Sequence, residues 1–387
     1  MGSLFGAETH RTSLLSCWKA VNAHTHPSSG AIWGIPANYS PAAIHYFTEA
    51  HLREKNSATT KVSRRALVGA AAAGAVALGV SDAWAQRCPA APPVRAKGPA
   101  VWLDYDQHEI DEMYDQSVYA FNQKELLARS DANNAIASAL ISKPERFAYG
   151  SDPIEGVDIW KARKPNAPVL VYLHGGSWRS GRSADFALYA EPYINAGAHF
   201  VSVDFTNVRV TKGNLFPLVE QCRQAVGWTY RNATKFGGDP ERLYLCSRSS
   251  GSHLAGCVVT TDWESRGLPR TILKGAVMGS GMYDLKPVRL SARSSFVAFT
   301  DEMENQLSAQ RHIDKLYTPL VLCVGTLETP EFQRQSREFA AAVKAAGKQA
   351  EVVVGQHYNH FDVGDTIGHP YQLMGRELMK MMKLPTT

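Results

Sequence analysis

The sequence predicts an α/β domain with a mainly parallel central sheet and helices covering both faces. Two observations predict it. Short apolar runs recur between residues 167 and 355, and segments with helical spacing stand between them. The runs are apolar throughout rather than alternating, as expected of strands buried on both faces.

In chain order, Tyr105 to about Ala137 is polar and reads as helix, with an acidic start, DQHEIDEMYDQS. APVLVYLHGG (167–176) is the first strand, ended by two glycines, and AHFVSVDF (198–205) is the second. FPLVEQCRQAVGWTYRNATKFGG (216–238) spaces its apolar residues as a helix does and stops at a glycine pair. RLYLCS (242–247), LKGAVMGSG (273–281) and TPLVLCVGT (318–326) are the next strands. PEFQRQSREFAAAVKAAGK (330–348) is an amphipathic helix, AEVVVG (350–355) a sixth strand and PYQLMGRELMKMM (370–382) the closing helix. Sheets of this kind gather reacting groups at the carboxyl ends of their strands.

Upstream, SRRALVGAAAAGAVALGVSDAWAQ starts at Ser63. Arg64-Arg65 precedes an uncharged run, Ala66 to Val80, that is short for a bilayer span. Ala83-Trp84-Ala85 then offers a cleavage site. Residues 63–85 therefore resemble a twin-arginine signal peptide, which implies passage through the twin-arginine export machinery and a periplasmic or secreted enzyme, with a cytoplasmic one as the alternative. Residues 1–62 read as a poorly structured leader or over-extended start, and their His24 and His26 lack further ligands for a metal. Residues 86–100 carry four prolines and read as a linker, leaving 101–387 as the working domain. The formal charge of +5 is not gathered into a stripe, so nothing supports nucleic-acid binding. The six cysteines show no metal-ligand spacing, and no phosphate-binding or dinucleotide-binding fingerprint implies a cofactor.

Serine becomes a nucleophile when a base takes its proton and a sharp strand-to-helix turn lifts its Oγ clear of the backbone. That turn is crowded and needs small residues two before and two after the serine. In Ser247-Arg248-Ser249-Ser250-Gly251, only Ser249 has both. The Gly175 and Gly176 amides, after the first strand, and the Ser250 amide are candidate donors to an oxyanion. The base is expected after the last strand: His360 at the tip of GQHYNHFDV, preferred over His357. The acid that fixes its tautomer is expected at Glu328, just past Gly325. Its rival, Glu331, stands in an exposed first helical turn where the helix dipole suits it. Trp178, Tyr283 and Tyr358 adjoin these elements and suggest an aromatic-tolerant pocket, although each of the three fits a core position equally well. The order Ser, acid, His is that of the α/β-hydrolases.

With these residues in place, the chain resembles the α/β-hydrolases, within them the branch of bacterial esterases and kynurenine formamidases (arylformamidases). The resemblance rests on HGGSW (174–178), FGGDPERLYLCSRSSGSHLAG (236–256), SGMYDL (280–285), ETPEFQRQSREFA (328–340) and NHFDV (359–363). VWLDYDQHEIDEMYDQSVYAFN (101–122) resembles that branch's amino-terminal helices and implies a small helical cap. The resemblance implies Ser249 as nucleophile, Glu328 as acid, His360 as base, and Gly175 and Gly176 as oxyanion donors. Ser247 and Ser252 stand where the pattern has glycines, and Arg248 where it more often has histidine. The implied activity is hydrolysis of small carboxylic esters or amides through an acyl-enzyme. An arylformamidase acting on N-formyl aryl amines is the alternative. A catalytically inactive binding protein on the same fold is the reading from another class, and its mark would be a missing triad member.

Overall fold

The computed structural model describes residues 95–386. The expected leader, the signal peptide, most of the linker and the His24/His26 pair lie outside the described residues.

Eight strands form one sheet: β1 (Glu145–Ala148), β2 (Gly156–Trp160), β3 (Ala167–Leu173), β4 (His199–Val203), β5 (Gly238–Arg248), β6 (Gly275–Gly279), β7 (Leu320–Gly325) and β8 (Ala350–Gly355). Their order is β1-β2-β4-β3-β5-β6-β7-β8. β1 and β2 pair antiparallel, as do β2 and β4, and every other pairing is parallel. The helices are α1 (Gln107–Met113), α2 (Gln123–Leu140), α3 (Ala187–Asn195), α4 (Phe216–Asn232), α5 (Ser250–Val259), α6 (Leu285–Leu290), α7 (Asp301–Leu307), α8 (Pro330–Ala345), α9 (His360–Asp365) and α10 (Leu373–Met382).

The six expected strands are β3 to β8. The core explains why the central ones read as unbroken apolar runs. Val169, Val171 and Leu173 of β3 point into a cluster with Leu218 of α4, Leu254 of α5 and Phe339 of α8. Leu170 and Tyr172, alternating with them, point the other way against Tyr189 and Tyr193 of α3 and Leu378 of α10. Alternate residues therefore serve opposite faces, both dry.

β1 and β2 carry no such run. β2 is buried along its length yet includes Asp158, whose carboxylate meets Arg146 of β1 at 3.1 Å and accepts from the Ser183 hydroxyl. A polar pair in a short antiparallel hairpin hides the strand signal.

The helix expected from Tyr105 to Ala137 is two helices. Asp106 opens α1 with a capping box: its carboxylate accepts from the Glu109 amide (3.0 Å) while the Glu109 carboxylate accepts from the Asp106 amide (2.9 Å). Asp115 then accepts from the Ser117 amide and starts a separate 3-10 turn, Gln116–Val118, before α2 begins.

The end of α1 is bolted to the start of α8. Tyr114 donates its hydroxyl hydrogen to Glu331 (3.0 Å) and accepts from the Gln335 amide (3.0 Å), while the Thr329 hydroxyl donates to the Met113 carbonyl (2.6 Å). Glu331 is fully buried and paired on both oxygens with Arg334 at 2.7 and 2.8 Å. This corrects the expectation that Glu331 sits at an exposed helix end: its carboxylate is enclosed because the amino-terminal helix lies over it. Glu331→Gln should therefore lower stability by about 1–3 kcal/mol, the range for a charge-assisted hydrogen bond removed from a buried partner. A shift of the urea unfolding midpoint measures it.

Candidate active site

β5 runs directly into α5, and Ser249 is the joint. Its backbone holds φ 54° and ψ −128°, a left-handed φ that a side chain disfavours and that costs about 1–3 kcal/mol. The Ser249 amide is held by the Gly279 carbonyl at 2.8 Å. Space for the turn comes from absent side chains. A Cβ on Gly251 would lie 2.3 Å from the Leu173 carbonyl oxygen, and one on Gly175 would lie 3.1 Å from the Ser249 Cβ.

Ser247, in the place of a glycine, is fully buried and tied into the turn. Ser252 Oγ donates to the Gly279 carbonyl at 2.8 Å, which leaves Ser247 Oγ to donate to Ser252 at 2.9 Å. The two hydroxyls thus satisfy each other and the end of β6 where glycines would leave space.

The structure brings Ser249, His360 and Glu328 together from three strand ends. Ser249 Oγ is 2.9 Å from His360 Nε2, and His360 Nδ1 is 2.8 Å from Glu328 Oε2. Glu328 can only accept, so Nδ1 carries the hydrogen and Nε2 is left to accept from the serine. The other Glu328 oxygen accepts from the Gly325 amide (2.7 Å) and the Ser280 hydroxyl (2.8 Å). All three residues are buried, and Phe332 meets the imidazole edge-on at 5.0 Å. Burial lowers the His360 pKa below 6.5; the Glu328 carboxylate pulls the other way, and the guanidinium groups of Arg248 and Arg293 push it down further. The imidazole is accordingly neutral near pH 7.

His360 opens α9, where Asn359 caps the helix by accepting from the Phe361 and Asp362 amides. Its rival His357 is exposed, in a turn after β8. His253 is buried in α5, where its Nδ1 accepts from the Trp178 indole (3.2 Å) and its Nε2–H donates to the Leu307 carbonyl (3.0 Å). Burial holds its pKa at about 4.

Gly176 and Ser177 face the site, whereas Gly175 and Ser250 are buried beside it. Gly176 (φ 110°), Ser177 (φ 54°) and Trp178 (φ 60°) turn left-handed in succession. The turn is fastened to α5, because the Trp178 amide donates to Ser250 Oγ at 3.1 Å. It is fastened behind by His174, whose Nδ1–H donates to the Gly175 carbonyl (2.8 Å) and whose ring stacks on Phe205 at 4.2 Å. Ser250 begins α5, so its amide has no acceptor inside the helix.

None of the three expected pocket aromatics lines the cleft, which is a correction. Trp178 is 1 % exposed and packs on His253. Tyr283 is fully buried and stacks on Phe339 at 4.4 Å. Tyr358 packs over Gly355 and Gly325, where a Cβ would collide with it. Their neighbours in sequence do sit at the site, but these side chains point into the layer beneath. The cleft itself, about 640 Å³, is walled by Tyr114, Gln116 and Leu127 of the amino-terminal region, by Phe296 and Phe361, and by Arg179, Arg209, Arg248 and Arg293. Sequence reasoning missed the roles of Ser280 and His174 and of Arg179, Arg209 and Arg293; Arg248 it noted only as a departure from the family pattern. Ser280 was signalled only by its place after an apolar strand, and Arg293 sits in a segment without periodicity.

The chain is similar to several known proteins. The family described as BD-FAE matches residues 157–283. Kynurenine formamidase of Danio rerio is 27% identical over 298 residues, spanning 73% of this chain and 98% of that protein. The isoprenylcysteine alpha-carbonyl methylesterase ICME of Arabidopsis thaliana is 25% identical over 241 residues, 56% of each chain. Among solved structures, a thermophilic esterase from Thermogutta terrifontis superposes with a TM-score of 0.52 at 22% identity, covering 63% of this chain and 94% of that one. Esterase B from Lactobacillus rhamnosis superposes with a TM-score of 0.53 at 16% identity, covering 70% and 94%. The fold is that of the α/β-hydrolases.

Gly251→Ala should destabilise the protein by about 1–3 kcal/mol, because the new methyl meets main-chain oxygens of β3 and its loop that cannot move aside. Chemical denaturation of the variant beside the parent checks it; an unchanged midpoint would mean that α5 is not seated this closely.

Proposed function

We propose that this chain, an α/β-hydrolase-fold relative of kynurenine formamidase, hydrolyses small carboxylic esters or amides through an acyl-enzyme on Ser249. The observation that carries the reading is the unbroken hydrogen-bonded line from Ser249 through His360 to Glu328. His360 Nε2 takes the hydroxyl proton as Ser249 Oγ adds to the substrate carbonyl carbon. The charge that develops on the carbonyl oxygen is met by amides at the start of α5 and in the Gly176 turn. His360 then gives the proton to the departing alkoxide or amine, and the acyl group stays on Ser249. A water, deprotonated by the same imidazole, releases the acid. Glu328 keeps Nδ1–H in place and steadies the imidazolium in each half-reaction. Its own two neighbours, Ser280 and the Gly325 amide, prevent it from turning away.

Cleavage of an N-formyl aryl amine is the second reading, favoured by the likeness to a kynurenine formamidase over nearly that protein's whole length. Its acyl group is only a formyl, so the same line of residues serves. Assay of short-chain esters, aryl amides and N-formyl anilines side by side separates the two.

Ser249→Ala should abolish labelling by a fluorophosphonate and lower turnover by about 10⁴ to 10⁶. Glu328→Gln should lower it on the order of 10⁴, because an amide can hold the imidazole in the wrong tautomer. Labelling mapped to Ser247, Ser250 or Ser252 would sink the assignment.

The pH dependence follows from the depressed His360 pKa. The base is needed neutral, so activity is lost as pH falls through that pKa. The acid limb of kcat/KM on a neutral ester should therefore have its midpoint below 6.5. A midpoint above it would mean that Glu328 outweighs burial and the arginines.

A further inference from the structure

The cleft carries a charge pattern that hydrolysis of a neutral ester does not use. Arg179, Arg209, Arg248 and Arg293 line it, against Asp111 and Asp115. Among the described residues none of the four forms an ion pair, whereas Arg146, Arg182, Arg289, Arg311 and Arg334 each meet a carboxylate. Asp115 is occupied in capping the turn after α1.

Arg293 is the informative one. Only 6 % of it is exposed, yet the single hydrogen bond of its guanidinium is from Nη2 to the Tyr114 carbonyl (3.1 Å), and Nε and Nη1 have no partner. Beneath it, the Trp178 ring lies 5.5 Å away. Arg179 lies across the Phe296 ring at 4.2 Å, close enough for its charge to act on Arg293. Burial lowers the Arg293 pKa to about 10, so it remains a cation at neutral pH. Asp115, across the cleft, acts on it from a distance but makes no ion pair with it. A buried guanidinium with idle donors and no paired carboxylate is unfavourable by itself and is stable where an anion completes it. Aromatic and carbonyl supports hold the group still, as a binding group must be held.

We propose that the substrate of this site carries a carboxylate, held by Arg293 and Arg179 while Ser249 acts on its ester or amide carbonyl. The inference rests on the hydrolase reading above. Two aspartates in the same wall disfavour a dianion, which sets a carboxylate above a phosphate.

The test uses matched acid and neutral substrates with the full-chain protein: p-nitrophenyl monoadipate against p-nitrophenyl hexanoate, and 4-acetoxybenzoate against phenyl acetate. The first pair puts the charge on the acyl side, the second on the leaving side. In at least one pair the acid ester should be favoured in kcat/KM by about 10- to 100-fold, the range expected of charged hydrogen bonds, and added salt should erode the advantage. The preference should collapse in Arg293→Met and in Arg179→Gln, whose exposed position spares the fold, and persist in the remote surface variant Arg337→Gln. Neutral esters preferred in both pairs, or a preference untouched by Arg179→Gln, would overturn the inference.

Calorimetric titration of Ser249→Ala protein with the same acid and neutral esters separates the two readings. Salt-sensitive binding of an acid ester, with no turnover of any ester by the parent, would keep the carboxylate site and remove the hydrolase. Turnover of neutral esters, with no stronger binding of acid ones, would do the reverse. Inorganic phosphate displacing the acid ester more effectively than acetate would overturn the choice of carboxylate.

Discussion

One backbone conformation governs the site: Ser249 held at φ 54° between β5 and α5. A serine does not adopt it unaided, so the neighbours must enforce it. The Gly279 carbonyl grips its amide, Gly251 lets α5 close to a distance that a Cβ would forbid, and Gly175 lets its loop approach where a Cβ would crowd Ser249. The sheet serves this turn. β3, β5 and β6 are adjacent, so the carbonyl that clamps the serine and the loop that faces it arrive from the flanking strands. The strain is local and of order a few kcal/mol, and two dry layers of core absorb it.

The acid side is built on a different economy, one of donors. Among the described residues no lysine or arginine stands against Glu328; the Ser280 hydroxyl, the Gly325 amide and the imidazole between them occupy its two oxygens. A carboxylate satisfied by dipoles needs no lysine or arginine beside it, and none competes there with His360. The arginines stand instead in the cleft, where Arg248 and Arg293 help to keep the imidazole unprotonated.

How much of this was legible in the sequence depends on whether backbone or side-chain direction was being read. The parallel strands were, because burial on both faces leaves short apolar runs bounded by turn residues. Ser249, His360 and Glu328 were placed by strand ends and small residues, and the structure sets them in one hydrogen-bonded line. β1 and β2 were not legible, since Asp158 and Arg146 pair across them and mask the pattern. Trp178 and Tyr283 show the other limit. Adjacency to a site element says where the main chain lies, but a rotamer set by His253 or Phe339 decides which layer the ring enters. Glu331 was misjudged for a related reason: its cover comes from Tyr114, 217 residues away in the chain.

That last contact bears on where an independently stable fragment could begin. Tyr114 closes over Glu331 with its hydroxyl and over Arg293 with its carbonyl. The capping carboxylate of Asp106 reaches back further, accepting from the Gly98 amide at 2.7 Å. A truncation at residue 157, where the recognisable family segment starts, would remove the edge strand β1, uncover the Glu331–Arg334 pair and take away the one hydrogen bond of the Arg293 guanidinium. The segment that is easiest to recognise is thus not a unit of folding, and the minimal autonomous enzyme must include the chain from about Gly98 onward.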